Sequence, residues 1–426
     1  MKNISKFQLI IFAICVIGVF GGVVLFATTS ARQVQDSIGS VTLWGTEDFN
    51  TFQSFVGEVN ALIPDANLRV KITYVKKTLE NFYPDLVEAL ASGRGPDLIL
   101  IPQDSIIRHL RKVYLIPYTT IPERTFVDSF VQAGELFMTP WGVAGVPFSL
   151  DPLVMYWNRD IFNNQALSAP PKTWEEIASL SARLTQKDDS LNISQSIVAL
   201  GEYRNVNHAK EILSLMAIQE GSTMATLSPD VAVLPSLGAG MVSAVEYFIK
   251  FANPTAAEYS WNRSFNSARE RFLSSNSALY FGFASEATDL RSRNPNLNFD
   301  VAFMPQFKGR SLRSTFAQIE AFAIIKNSPR GNDALRTIYA LTNSQALGIW
   351  LTKTGLPPVR RDMLTARPTG RFGPVLYESA LQSRAWLDPS PSGTGLVFQN
   401  MIESINSGAQ SVDIGVNRAN SEIGTF

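Results

Sequence analysis

Three carboxylates sit where the chain breaks off an apolar run: Glu47 after Trp44-Gly45-Thr46, Asp104 after Pro102-Gln103, and Asp151 between Leu150 and Pro152. An ionised carboxylate only accepts hydrogen bonds, and an aromatic ring offers a flat apolar face. Acceptors and rings together suit a polyhydroxylated ligand, whose hydroxyls donate to the acids while its C–H side lies on a ring. Trp44 ends an apolar run, and Trp261 stands in the polar Tyr259-Ser260-Trp261-Asn262. Gln318 and Glu320 interrupt the apolar stretch Phe316 to Ile325 and are read as facing a cleft. Each residue has a structural alternative. Asp151 could close a turn before Pro152. Asp104 could cap a helix over Ser105 to Lys112. Trp44 could be core. The same acids would also serve a glycoside hydrolase, which needs two carboxyls about 5–10 Å apart.

The elements that must position these residues follow from apolar periodicity. Ser40 to Trp44 reads as a strand, and Phe52, Phe55, Val56, Val59 and Leu62 recur at helical spacing. Leu68 to Val75 alternates as a second strand, Leu79 to Ala91 is helical, and Pro96 to Ile101 is a buried strand. This β-α-β-α-β order predicts a parallel sheet, with ligand beyond the carboxyl ends of its strands. Those ends are Gly45 to Asp48 and Pro102 to Asp104. Farther on, Val143, Val146 and Phe148 form an apolar run that stops in Ser149-Leu150-Asp151, and Leu153 to Trp157 forms another. Pro147 and Pro152 lack the backbone donor that a central strand needs. Phe148 to Asp151 is therefore read as a first crossing between two lobes, against a strand-turn-strand within one domain. Residues 174 to 251 are mostly helical. A helix is expected over Asn262 to Ser275, a strand over Ala278 to Phe283, and a helix over Glu286 to Arg293. Phe299 to Met304 reads as a strand that crosses back at Pro305. Four helical patterns close the chain: Asn332 to Thr342, Gln345 to Thr352, Val397 to Ser407 and Ile414 to Ile423.

Gly145-Val146-Pro147, the short acid-bearing segment after it, and Tyr156-Trp157-Asn158-Arg159-Asp160-Ile161 come before Pro170-Pro171-Lys172-Thr173-Trp174-Glu175-Glu176-Ile177. In that order the chain resembles the extracellular solute-binding proteins of sugar-type ABC importers (family 1, maltose-binding-protein-like). Val41 to Trp44, Gly95-Pro96-Asp97-Leu98, Ala278 to Gly282, Asp300 to Pro305, Ala321 to Lys326 and Gly355-Leu356-Pro357-Pro358 resemble further family motifs. The resemblance covers nearly everything after Ser40. It implies an α/β, two-lobed, periplasmic-binding-protein-like fold with the ligand cleft at the hinge. It also implies no catalysis, no cofactor and no metal. The expected partners are a small-molecule ligand, a sugar first of all, and the permease subunits of an ABC importer, with the chain itself a monomer. Ligand contacts carried over are Trp44, Thr46, Glu47, Gln103, Asp104 and Asp151. Sugar binders of the family often place a tryptophan where this chain has Phe283. The implied division is lobe I at 41–150 with 305–341 returning to it, and lobe II at 151–304 with 342–426 returning to it.

The chain has 426 residues, 45% hydrophobic and 17% charged, enough for more than one core. Its 37 basic and 37 acidic residues balance, so nothing points to nucleic acid. One cysteine, Cys15, rules out an internal disulfide, and the two histidines, His109 and His208, limit any zinc or triad chemistry. Residues 7–26 carry no charge, follow Lys2 and Lys6, and precede Arg32. Such a run spans a bilayer of about 30 Å and is longer than the 7–15 residues of a usual signal-peptide core. An uncleaved anchor in residues 1–39, with a polar tether from Gln33 to Ser40, is favoured over a signal peptide cut near Thr29-Ser30-Ala31. Either places the globular part on the extracytoplasmic side of the cell membrane. The leading function is a membrane-tethered solute-binding protein. An extracellular carbohydrate-active enzyme and a non-transport sensor are the alternatives.

Overall fold

The structure is a computed structural model that describes residues 37–426 apart from 229–232, 311, 367 and 369. The apolar run at 7–26 and Cys15 lie outside the described residues. Strands β1 (Ser40–Gly45), β2 (Lys71–Lys76) and β3 (Leu98–Pro102) are parallel, with β1 in the middle. Helix α1 (Phe49–Ala61) starts where the Asp48 carboxylate accepts from the Thr51 amide, and it buries Phe52, Phe55, Val56 and Val59. Helix α2 (Leu79–Ala91) is capped by Thr78. Helix α3 (Gln103–His109) follows β3 directly, with Asp104 in its first turn rather than at its cap.

Strand β4 (Val146–Asn158) joins the two halves of the molecule. The apolar pattern suggested two runs with a break at Ser149 to Asp151, and the structure instead has one continuous strand of 13 residues. Its first half pairs with β7 (Thr315–Ile324). Its second half pairs with β5 (Leu279–Phe283) on one side and β6 (Phe299–Ala302) on the other. A register shift between Glu320 and Ala321, opposite Pro147, absorbs the missing proline donor. The sheet therefore runs unbroken in the order β5-β4-β7-β3-β1-β2.

Two hydrophobic cores lie along that sheet. The first gathers Phe52, Phe55, Phe148, Phe322 and Trp350 around β1, β3 and β7. The second gathers Tyr156, Trp174, Trp261, Phe272 and Tyr280, with helices α4 (Trp174–Leu184), α5 (Ala209–Gln219), α6 (Ala268–Leu273) and α7 (Glu286–Arg293) against it. Helix α6 is shorter than the expected Asn262 to Ser275 because the Asn262 side chain accepts from the Ser264 amide and turns the chain first. The return crossing lies between Phe316, in the second core, and Ala317, in the first, rather than at Pro305. The Gln219 amide explains this, since it donates to the carbonyls of both Pro305 and Ser314 and keeps that loop on the second core. Helices α8 (Gly331–Thr342) and α9 (Ser344–Thr354) both pack on the first core, although everything from 342 onward was expected to return to lobe II. Trp350 decides it, with its ring 5.3 Å from Phe55 and 4.8 Å from Phe148. Residues 372 to 387 run along the boundary, with Phe372, Leu376 and Trp386 on the second core and Ala380 and Leu387 on the first, and the chain ends in α10 (Pro391–Asn406) and α11 (Val412–Ile423) on the second.

Trp350 is fully buried among aromatic rings. Trp350→Ala should cost about 3–5 kcal/mol of unfolding free energy, as large aromatic deletions in cores do. Urea unfolding followed by circular dichroism checks this. A loss under about 1 kcal/mol would take Trp350 out of the first core.

Candidate functional site

Alternation along β4 and β7 sets the site. Ser149 pairs with Glu320 and Asp151 with Gln318, so these four residues share one face of the sheet. Thr46 and Glu47 follow β1 and meet the same face. The Glu320 carboxyl lies beside the side chains of Glu47 and Thr46, close enough for each to act on its ionisation. Burial, then the neighbouring carboxylate, raises the Glu320 pKa well above the usual range, and burial raises that of Glu47. Two carboxyls in contact cannot both ionise, so the pair holds a proton between them. The Tyr74 hydroxyl donates to the Glu47 carbonyl at 2.9 Å and fixes the turn.

Across the cleft from these acids, α5 begins at His208, whose backbone is left-handed with φ 58°. Its Nε2 lies 2.7 Å from Glu286 Oε1. Glu286 also accepts from the Phe283 amide at 2.8 Å and the Tyr280 hydroxyl at 2.6 Å. Burial works against the charged form of His208, but the Glu286 hydrogen bond and charge outweigh it and hold the pKa above the ordinary value. Burial likewise opposes ionised Glu286, and its three donors keep its pKa low. Two residues on, Lys210 Nζ lies 3.0 Å from Asp388 Oδ2. Asp388 in turn accepts from the Thr394 hydroxyl at 2.7 Å and the Ser390 amide at 3.0 Å. Asp104 stands within electrostatic range of Lys210 and Asp388, and burial raises its pKa. Asp151 Oδ1 accepts from the Ser285 amide at 3.1 Å, and burial pushes its pKa up to about 6. A cavity of about 400 Å³ opens beside this cluster, lined among others by Tyr203, His208, Lys210, Glu211 and Gln399.

The structure thus brings together Thr46, Glu47, Asp104, Asp151 and Glu320, with Gln318 exposed on the same face. It does not do so for the rest. Gln103 is buried and its side-chain oxygen accepts from the Ile319 amide at 2.7 Å, closing the sheet. Trp44 is buried in the first core with the Lys77 ammonium 4.0 Å over its ring. Trp261 is fully buried in the second core, and its indole N–H donates to Asn205. Phe283 is buried too, edge-on to His208. None of these three rings presents a face to the cleft. Sequence reasoning missed His208, Lys210, Glu286 and Asp388. The available signal was His208-Ala209-Lys210-Glu211, a charged mouth on a helix whose residues from Ile212 to Gln219 are all buried. Among the described residues no group of three or more His, Cys, Asp or Glu is placed to hold a metal ion, and no helix is long and apolar enough to cross a membrane.

The comparisons bear on the family and the fold. The sequence profile of a family described as bacterial extracellular solute-binding protein matches residues 64–369. A maltotriose-binding protein of Pyrococcus abyssi is 27% identical over 151 residues, which are 34% of this chain and 31% of that protein. The matched stretch thus spans about a third of that curated relative. The fold is similar to that of a cyclic alpha-maltosyl-1,6-maltose binding protein from Arthrobacter globiformis, at TM-score 0.74 and 18% identity over 91% of this chain and 98% of the other. It is also similar to the sugar-binding protein MalE from Xanthomonas citri, at TM-score 0.73 and 16% identity over 91% and 97%.

Asp151 makes the geometry testable by pH. An acid whose pKa is higher in the folded chain than in the unfolded one weakens the fold as it ionises. That cost should begin near the ordinary value of 3.8 and be complete above about 6. Asp151→Asn keeps an acceptor for the Ser285 amide and removes the charge. It should raise the melting temperature at pH 7 to 8, with the gain fading toward pH 4. Equal melting temperatures at every pH would mean the carboxylate is well solvated.

Proposed function

The chain belongs to the bacterial extracellular solute-binding proteins, and from that membership we propose that it captures a carbohydrate or similar polyhydroxylated molecule between its two lobes and delivers it to an ABC importer. The observation that carries this reading is the seam of hydrogen-bond acceptors between the cores. Glu47, Glu320 and Asp104 come from the first lobe, Asp151 and Asp388 from the crossings, and Lys210 and Glu286 from the second lobe. Hydroxyls donate to carboxylates and accept from the ammonium, so closure around a polyol satisfies both lobes at once. The named ligands of the maltotriose-binding relative and of the structural neighbours, maltotetraose and mannobiose among them, support the same class.

The Glu47–Glu320 contact favours binding over hydrolysis. Glycosidases hold two carboxyls about 5–10 Å apart, with sugar or water between them. Here Glu47 and Glu320 are close enough to perturb each other's ionisation, so this pair does not have the spacing of a glycosidase pair. Calorimetry against malto-oligosaccharides, monosaccharides and polyols should show saturable binding without release of reducing sugar. A charged hydrogen bond is worth roughly 1.5–3 kcal/mol, so Asp104→Asn or Glu47→Gln should weaken binding by about 10- to 150-fold. Turnover, or no saturable heat with any of these compounds, would overturn the reading.

The uncharged run at 7–26 supports a tethered, extracytoplasmic location. Full-length protein should stay with membranes through a carbonate wash. Recovery of a released form that begins near Arg32 would establish a cleaved signal peptide instead.

A further inference from the structure

The strand ends opposite the cleft carry the other sign of charge. Strands β1, β2 and β3 begin there and β7 finishes there. Arg69, Lys71, Arg94, Arg111, Lys326 and Arg330 are all exposed at this end, and none of the six is ion-paired with a described residue. Local contacts gather them. Lys71 lies in register with Ser40, and Arg330 donates to the Ser40 carbonyl. The Lys326 amide donates to the Lys112 carbonyl at 2.9 Å. Arg111, Lys112, Lys326 and the glycines flanking Arg94 border one shallow cavity of about 340 Å³. Of the carboxylates here, Asp97 takes the Thr42 amide and the Ser328 hydroxyl, Asp333 takes the Gly39 amide, and Asp65 takes the Asn67 amide. Glu88, in the last turn of α2, and Asp65 are the exposed acids beside them. Leu62, Leu68, Val87 and Tyr114 are exposed around the same end. In a chain with 37 basic and 37 acidic residues, this segregation makes one end basic and the cleft acidic.

The chain also emerges here. The Ile38 amide donates to the Asn67 carbonyl at 2.9 Å, and Arg336 donates to the Ser37 carbonyl at 3.2 Å. Ten residues, 27 to 36, separate Ser37 from the uncharged run. Fully extended they reach about 35 Å at most. The basic end is thus held within that distance of any bilayer the run enters.

We propose that this end of the first lobe docks on anionic phospholipid headgroups beside the emerging chain, with the cleft turned away from the bilayer. The proposal rests on the tethered reading above. Each Lys or Arg at an anionic surface strengthens attachment about fivefold, and the effect decays over a Debye length of about 8 Å at physiological salt. Leucine and tyrosine at the rim suit the headgroup boundary.

The test uses the full chain in nanodiscs of phosphatidylglycerol or of phosphatidylcholine, with lysine acylation read by mass spectrometry. Lys71 and Lys326 should react about fivefold more slowly in the anionic discs. Lys172, Lys250 and Lys308, exposed on the second lobe, should react equally in both. The protection should vanish near 1 M salt, where the Debye length is about 3 Å. It should also weaken severalfold in Arg94→Gln/Arg111→Gln. Equal rates for Lys71 and Lys326 in the two discs would overturn the proposal, as would equal protection of all five lysines. If the chain does not stay in discs, the tether fails separately. Flotation with vesicles then tests the surface alone, and binding to both lipids or to neither would overturn it.

Discussion

The unbroken β4 strand is the constraint on which the remaining structure depends. Its hydrogen bonds run from β7 in the first lobe to β5 and β6 in the second, so the lobes cannot separate without breaking a ladder. In the proposed closure, the twist would fall where the partners change, between Pro152 and Leu153. Two local bonds hold that point. The Thr315 hydroxyl donates to the Leu153 carbonyl at 2.6 Å, and the Ala284 amide donates to the Pro152 carbonyl at 2.9 Å. Asp151 is next to this fulcrum, and the Ser285 amide ties it to the loop before α7. A small rotation there moves Lys210 and Glu286 against Glu47 and Asp104. That is hinge closure with few moving backbone angles.

Charge sets what the cleft can accept. Glu320, Asp151 and Asp104 are all raised by burial, and Glu320 also by Glu47. Carboxyls in such a setting gain from donors that arrive without charge, and hydroxyls are such donors. The His208–Glu286 pair behaves differently, because it is already satisfied. Its stabilisation is complete between the ordinary values of about 4.5 for Glu and 6.5 for His. It is lost at lower pH as Glu286 protonates, and at higher pH as His208 gives up its proton.

Local pattern made most of the fold legible. Alternation and continuous apolar runs placed β1, β2, β3 and β5, and helical spacing placed α1, α2 and α7 within a few residues. What escaped were long-range choices. Nothing near Trp350 says which core it will fill, since an apolar helix fits either. Pro147 and Pro152 read as a break because a proline removes a donor, and only the pairing with β7 shows that the strand continues, with Phe148 as an extra residue of β4 beside Pro147 and Pro152 in regular register. At the site, acids that interrupt apolar runs were legible as Glu320 and Asp151. Gln103 misled because a side-chain amide at a strand end can complete the sheet as well as meet a ligand. Lys210 and Asp388 are 178 residues apart, and no spacing rule pairs them.

The buried rings bear on how a ligand is recognised. Trp44, Trp261 and Phe283 stand where a sugar could stack if their faces were open, yet each is committed to a core. Stacking is a ring-by-ring fit, whereas carboxylates accept hydroxyls in several orientations. On the proposed reading, a cleft built from Glu47, Glu320, Asp104 and Asp151, with one ammonium from Lys210, would discriminate through charge and hydroxyl placement. On the same reading it would disfavour anionic ligands, because one lysine already shared with Asp388 cannot offset several partly buried acids. Neutral polyols escape that repulsion, and their hydroxyls satisfy acceptors that the fold leaves in the cleft.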